Sequence, residues 1–278
     1  MKIVDTYPEI LILSDSMKNG FNMSIWECYA AQISKLLPQK LLNDSCSYNF
    51  NQEVLPIVQQ ALNNTNKLEE THNSFLSATQ TLQQRFTGVF GTDLQADIIL
   101  YLGLCNGAGW ATTLDGKKAV LLGVEKIIEL DWCNEKRMAS LIYHELGHLW
   151  HDMAGTPHPG LTKQGEKSIW QLFREGIAMY CEQLLCGDFS YYHQDINGWR
   201  NWCESNKIVL SNEYLRRVDA GESTQDFFGD WCSVLGHSDV GYYLGCEFVK
   251  WLVKKYSLIA LANMGIDVVS IELHKFLK

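Results

Sequence analysis

One stretch constrains the fold and the chemistry of this chain more than any other. Residues 141–150 read Leu-Ile-Tyr-His-Glu-Leu-Gly-His-Leu-Trp, and their apolar residues recur at the spacing of an amphipathic helix. His144 and His148 stand four residues apart, so one helix face would present both imidazoles to a single metal ion. Glu145 is rotated by about 100° from His144, which directs it toward a water molecule beside the metal. This H-E-x-x-H pattern predicts a metal site with a carboxylate base.

Such a site needs a third protein ligand, because catalytic zinc commonly binds three side chains and keeps one position open. Residues 170–180 predict a second helix, and the loop from Gly155 to Gly165 lets that helix fold back on the first. Glu175 is the best-placed ligand on it. The residues alone leave other candidates open: His151, His158, Glu182, Cys181 and Cys186.

His151 would lie on the same helix face as His144 and His148. Three consecutive imidazoles on a nearly straight helix rarely bind one ion, so His151 is expected to line the mouth of the site or to support a ligand. The longer pattern H-E-x-x-H-x-x-G-x-x-H is absent, because position 151 is His and position 154 is Ala.

Three ordered motifs carry a resemblance to a known family. His-Glu-Leu-Gly-His at 144–148, followed by Arg-Glu-Gly-Ile-Ala-Met-Tyr at 174–180, resembles the gluzincin clan of zinc metallopeptidases. Residues 241–249, Gly-Tyr-Tyr-Leu-Gly-Cys-Glu-Phe-Val, resemble the G-Y-x-x-G segment of an uncharacterised bacterial family of predicted zinc-dependent proteases. The likeness covers residues 91 to 260. It implies a Zn²⁺ ion bound by His144, His148 and Glu175.

The resemblance also implies an activity. The chain would be a zinc-dependent hydrolase, a peptidase that cleaves amide bonds in a peptide or protein with a zinc-activated water and Glu145 as general base. Tyr242, which matches the tyrosine of G-Y-x-x-G, is expected to stabilise the developing oxyanion; Tyr243 and His237 are the alternatives. Two other functions stay open, a catalytically silent zincin-fold protein that acts as a binding or regulatory module, and a metal-dependent amidase of non-peptide substrates. An intact Glu145 argues against the silent protein.

The sequence departs from thermolysin-like gluzincins at one position. Those enzymes carry an acid four residues after the ligand glutamate, where it orients a histidine ligand, whereas this chain has Met179 there. Glu182, seven residues after Glu175 on the same helix face, is the candidate to replace it.

The predicted fold class is α+β and zincin-like. A small mixed sheet would pack on the H-E-x-x-H helix and the glutamate helix, with C-terminal helices after them. The predicted division is a helical region at 1–90 and a metallopeptidase domain at 91–278. Helices are expected at 22–37, ended by Pro38, and at 54–85, with Pro56 in the first turn. The β-type runs 96–104 and 119–124 predict a hairpin or a neighbouring pair, and Asn134 is expected to cap the histidine helix.

Composition limits the remaining function classes. The formal charge of −9 and the lack of a Lys/Arg block argue against a nucleic-acid partner. No apolar run approaches the ~20 residues that span a bilayer, so no membrane partner is expected. The start of the chain lacks the features of a signal peptide, and the nine cysteines form no C-x-x-C pair. These features predict a cytoplasmic protein with buried, reduced thiols. The sequence leaves the oligomeric state open.

Overall fold

The computed structural model describes residues 1–18, 20–156 and 160–277. His158, one of the candidate third ligands, lies outside the described residues. The chain divides into two compact units, Met1–Glu145 and Leu146–Lys278. In the described part of the chain, no helix is both long and apolar enough to cross a membrane.

A four-stranded mixed sheet organises the first unit. The strands are β1 (Lys2–Asp5), β2 (Asp97–Tyr101), β3 (Gly109–Leu114) and β4 (Lys117–Gly123), in the order β1-β2-β4-β3. β2 runs parallel to both β1 and β4, whereas β3 is antiparallel to β4. Most of β2 and β4 is buried, as expected for apolar strands inside a sheet. The class is therefore α+β.

The two predicted β-type runs are neighbours in this sheet, but they do not form a hairpin. They correspond to β2 and β4, which are parallel. The hairpin joins β3 to β4 through Asp115 and Gly116, and both residues have positive φ angles, 49° and 76°. That backbone suits an Asp-Gly two-residue turn. β1 lies in the part predicted to be helical.

The helices of the first unit are shorter than predicted. They are α1 (Tyr7–Ser16), α2 (Met23–Ile33), α3 (Leu37–Asp44), α4 (Leu55–Leu62), α5 (Thr65–Thr79), α6 (Leu82–Phe90) and α7 (Val124–Glu129). The predicted helix 54–85 is divided into α4, α5 and the start of α6. Asn64 caps α5, its side chain accepting the Lys67 N–H at 3.1 Å. Pro38 does not end a helix but stands in the first turn of α3. Pro56 occupies the first turn of α4, as predicted.

The histidine-bearing helix is α8 (Glu135–Ala154), which contains the boundary between the two units. The Asn134 side chain accepts the Arg137 N–H at 3.0 Å, which confirms the predicted cap. The second unit continues with α9 (Gln164–Cys186), α10 (Trp199–Ser205), α11 (Lys207–Ala220), α12 (Val240–Leu252), α13 (Leu258–Ala262) and α14 (Ile266–Leu277). The predicted glutamate helix and C-terminal helices are therefore present.

Two glycines bring α9 and α12 into backbone contact. A Cβ atom built on Gly176 would lie 2.2 Å from the carbonyl oxygen of Gly245, and one on Gly245 would lie 2.5 Å from the carbonyl oxygen of Leu172. Any side chain at either position would overlap the opposite backbone. This close approach fixes α12 beside the turn of α9 that carries Glu175.

The cysteines are less uniformly buried than predicted. Cys133, Cys181, Cys203 and Cys246 are buried, whereas Cys28 and Cys46 are exposed on short helical segments.

Candidate metal centre

The polar side chains of the H-E-x-x-H segment are buried. His144, Glu145 and His148 are 4%, 6% and 8% exposed. Burying polar or ionisable groups costs free energy unless they gain partners. Three such groups within five residues therefore indicate a site with a chemical purpose rather than a helix surface.

Gly147 allows the helix to approach its neighbour in the second unit. A Cβ atom at this position would lie 2.8 Å from Cα of Ala178 on α9 and 2.9 Å from Cβ of Cys181. Because Gly147 has no side chain, the backbone of α8 can lie directly on α9. His148 and Glu175 stand beside this contact, so the glycine of His-Glu-Leu-Gly-His helps to bring the two groups together.

His148 and Glu175 meet at the distance expected of ligands to one metal ion. Nε2 of His148 lies 3.1 Å from Oε2 of Glu175. Zinc bonds of about 2.0–2.1 Å in a tetrahedral site place donor atoms roughly 3.3 Å apart. One ligand atom from each of His144, His148 and Glu175 lies within 4.8 Å of the other two. The predicted ligands are therefore brought together, and the three residues can hold a metal ion.

Within residues 1–18, 20–156 and 160–277, no other set of three or more His, Cys, Asp or Glu side chains converges in this way. His151 is 4% exposed and packs near the rings of Trp170 and Phe173, at centroid distances of 5.9 and 5.8 Å. Its role at the mouth of the site or in support of a ligand stays a prediction. Burial raises the pKa of the Cys181 thiol, which disfavours the thiolate that a metal would require.

Glu145 is held by the edge strand of the sheet. The Ala111 N–H donates a hydrogen bond to Oε2 of Glu145 at 2.7 Å. A Cβ atom on Gly109 would lie 2.6 Å from Oε1 of Glu145 and 2.9 Å from Cδ1 of Leu141. The missing side chain of Gly109 thus lets β3 approach α8 closely enough for Ala111 to bind the carboxylate. Neither Gly109 nor Ala111 was predicted as a site residue, although a glycine within a strand can signal such an approach.

The free edge of β3 follows from its pairing with β4. The Gly123 N–H donates to the carbonyl of Ala108 at 3.0 Å, so Ala108 directs its backbone groups toward β4. Because this direction alternates along an antiparallel strand, every second residue after Ala108 does the same. The intervening residues are Gly109, Ala111 and Thr113, whose backbone groups point away from β4. The bond from Ala111 to Glu145 lies on that free edge.

The three candidate oxyanion donors have different surroundings. Tyr243 is 4% exposed, packs near Tyr192 and Trp199, and has its pKa raised by burial. His237 is half-buried and stacks on Trp202, with ring centroids 3.6 Å apart.

Tyr242 is half-buried, and its ring meets Phe228 edge-on at 5.4 Å. It precedes Gly245 by three residues, so about 4.5 Å of helix separates Tyr242 from the crossing beside Glu175. The role of Tyr242 stays a prediction.

Glu182 contacts a histidine outside the ligand group. Nδ1 of His193 lies 3.0 Å from each carboxylate oxygen of Glu182, and both side chains are buried. His193 follows α9 in a loop, so no helical spacing connects it with Glu182. The pair ties this loop to the ligand-bearing helix, and it gives Glu182 a contact other than the predicted one with a histidine ligand.

Comparison of the chain with protein-family models, with curated proteins and with solved structures finds no match.

Proposed function

We propose that this protein is a zinc-dependent hydrolase of the zincin type, and specifically a peptidase. The observation that carries the proposal is the convergence of His144, His148 and Glu175 within 4.8 Å. This His₂Glu donor set occurs at catalytic zinc sites. Glu145, the residue next to the first ligand, supplies the base that a purely structural site would not need.

A bound zinc ion would activate a water molecule and polarise the scissile carbonyl. The protein's own contribution begins with Glu145, which takes a proton from the water and delivers it to the leaving amine. The Ala111 N–H binds Oε2, so the carboxylate keeps one orientation while its other oxygen carries the proton. Tyr242 is our candidate to donate a hydrogen bond to the oxyanion.

The free edge of β3 favours a peptide over a small amide substrate. Backbone groups of Gly109 and Thr113 and the Ala111 carbonyl point away from β4, on either side of the hydrogen bond from the Ala111 N–H to Glu145. An extended peptide can add to such an edge through main-chain hydrogen bonds. This arrangement would align the scissile bond with the base, and a small non-peptide amide would not use it.

The test combines zinc content with peptide hydrolysis for the full chain and two variants. We expect about one zinc per chain in the wild type and in Glu145→Gln, and much less in Glu175→Ala. Only Glu175→Ala removes a ligand of the His₂Glu site. Of the wild type and these two variants, only the wild type should cleave a mixed peptide library. Glu166→Ala, a change on α9 outside the ligand group, serves as the matched control and should keep both properties.

Two outcomes would contradict the proposal. Full zinc retention in Glu175→Ala would remove Glu175 from the ligand set. Stoichiometric zinc without cleavage of any library peptide would favour the binding or regulatory module instead.

A further inference from the structure

A lysine and a tryptophan form a flat, charged surface beside the free edge of β3. Nζ of Lys40, on α3, lies 4.6 Å from the ring centroid of Trp110, the residue between Gly109 and Ala111. Both side chains are half-buried. Such a cation–π contact keeps the ammonium over the ring and limits its motion.

The ammonium of Lys40 lacks a carboxylate partner among the described residues. Asp44 follows one turn later on the same helix, but its carboxylate accepts a hydrogen bond from the Asn106 side chain at 2.9 Å. The ammonium of Lys40 is thus a cation that the Trp110 ring positions within the described part of the chain. The carboxylate of a bound ligand could form a charge-assisted hydrogen bond with this ammonium.

The pleat of the strand connects this cation to a peptide bound at the edge. Successive side chains of β3 alternate between the two sheet faces, so Trp110 lies on the face opposite to Gly109 and Ala111. A strand added beside β3 would follow the same alternation. Every second side chain of the added peptide would therefore project beside Trp110 and Lys40.

We propose that this surface selects peptides with an acidic side chain, whose carboxylate pairs with Lys40 while its methylene groups rest on Trp110. The inference rests on the proposed peptidase function and specifies its substrate class. The acidic residue would be one of those that share the Trp110 face, and the scissile bond would lie near Glu145.

The first measurement compares cleavage of matched quenched-fluorescent peptides. Each peptide carries Glu, Gln or Lys at one position, and the position is scanned across three residues on either side of the scissile bond. We expect kcat/KM to favour Glu over Gln by about three- to tenfold at alternating positions, the size of a partly exposed charge pair. Lys40→Ala should abolish the preference, and Lys40→Glu should transfer it to the Lys peptides. Lys254→Glu, an exposed site in the second unit with the same change of charge, should keep the wild-type preference.

A binding measurement separates this inference from the proposed function. Fluorescein-labelled Glu and Gln peptides are titrated with Glu145→Gln and with the double variant Glu145→Gln, Lys40→Glu, and anisotropy reports affinity without turnover. Tighter binding of the Glu peptide that disappears in the double variant supports the inference even if the wild type cleaves nothing, which would overturn only the peptidase function. Equal affinity for both peptides, or a preference unchanged by Lys40→Glu, overturns the inference even if cleavage is observed.

Discussion

Glu125 is a carboxyl group that the fold buries completely in the first turn of α7. Its oxygens accept the Gly103 N–H at 2.8 Å and the Cys105 N–H at 3.1 Å, in the loop that leads to β3. Desolvation outweighs these hydrogen bonds and raises the pKa of Glu125 to about 7. A single buried residue outside the metal site thus makes the stability of the fold depend on pH.

The sign of that dependence follows from the raised pKa. Protonation of Glu125 is easier in the folded state, so its stabilising contribution is complete below about pH 4.5 and is lost as pH rises through 7. We expect the free energy of unfolding to fall by about 2–3 kcal/mol across this window. Urea unfolding at pH 5 and pH 7.5 measures the change. Glu125→Gln should reduce the difference between the two pH values by that amount, and an unaltered difference would contradict the assignment.

The missing side chain of Gly109 leaves the space that the carboxylate of Glu145 occupies. A methyl group in Gly109→Ala would lie 2.6 Å from Oε1 of Glu145 and push the carboxylate from its place. We expect kcat for peptide cleavage to fall by about 10- to 100-fold, because a displaced base loses its alignment with the reacting water. Zinc content should stay at the wild-type value, since no ligand moves. Gly88→Ala, where a Cβ atom would meet nothing within 4 Å, is the matched control. Undiminished turnover in Gly109→Ala would show that the contact is dispensable.

At the scale of elements, sequence periodicity predicted α8 and α9 because helical hydrogen bonds are local. Asn134 stood at the start of a long amphipathic pattern, and the structure places the helix there. The predicted helix 54–85 failed because its apolar spacing continues across Asn63 and Asn64, where the backbone leaves α4 and a new cap begins α5. The spacing of apolar residues indicates which side chains are buried in the helices before and after such a break, but it does not show where the backbone leaves the helix.

The pairing of the strands was harder to predict from the sequence than the positions of the helices. β2 lies between β1 and β4, and its partner residues Lys2–Asp5 are more than 90 positions away. No local pattern specifies a pairing across that separation. The same limit explains the candidate site: His144, His148 and Glu175 have the residue types and spacings of ligands, whereas Ala111 matters only because the sheet carries its N–H to Glu145.

The crossing of α9 and α12 should not tolerate a larger residue in place of Gly176. Gly176→Ala would place a methyl group 2.2 Å from the Gly245 carbonyl, so the helices must separate. We expect the free energy of unfolding to fall by about 3 kcal/mol, the upper range for overpacked cores, with weaker zinc binding because Glu175 lies on the displaced turn. Chemical denaturation and zinc titration measure both effects. The equivalent change at Gly265, where a Cβ atom would meet nothing within 4 Å, should leave them unchanged. Wild-type stability in Gly176→Ala would contradict this packing.

At the scale of the whole molecule, a metal that binds only the folded chain must stabilise it. Zinc at about 100 times its dissociation constant should add roughly 2.7 kcal/mol to the free energy of unfolding, enough to raise Tm by about 5 °C in a chain of this size. Thermal unfolding with zinc and with a chelator measures the shift. The zinc-dependent rise in Tm should be small in Glu175→Ala. A rise equal to that of the wild type would mean that zinc binds at a different site.

The glycine pair at the crossing of α9 and α12 also limits how this protein can evolve. Neither Gly176 nor Gly245 can acquire a side chain while the other backbone stays in place, so mutational drift is blocked at both positions at once. Gly176 is therefore needed for helix packing, although it lies next to Glu175 in the motif at residues 174–180. Descendants that lost His144, His148 or Glu175 would still need both glycines for as long as they kept the crossing.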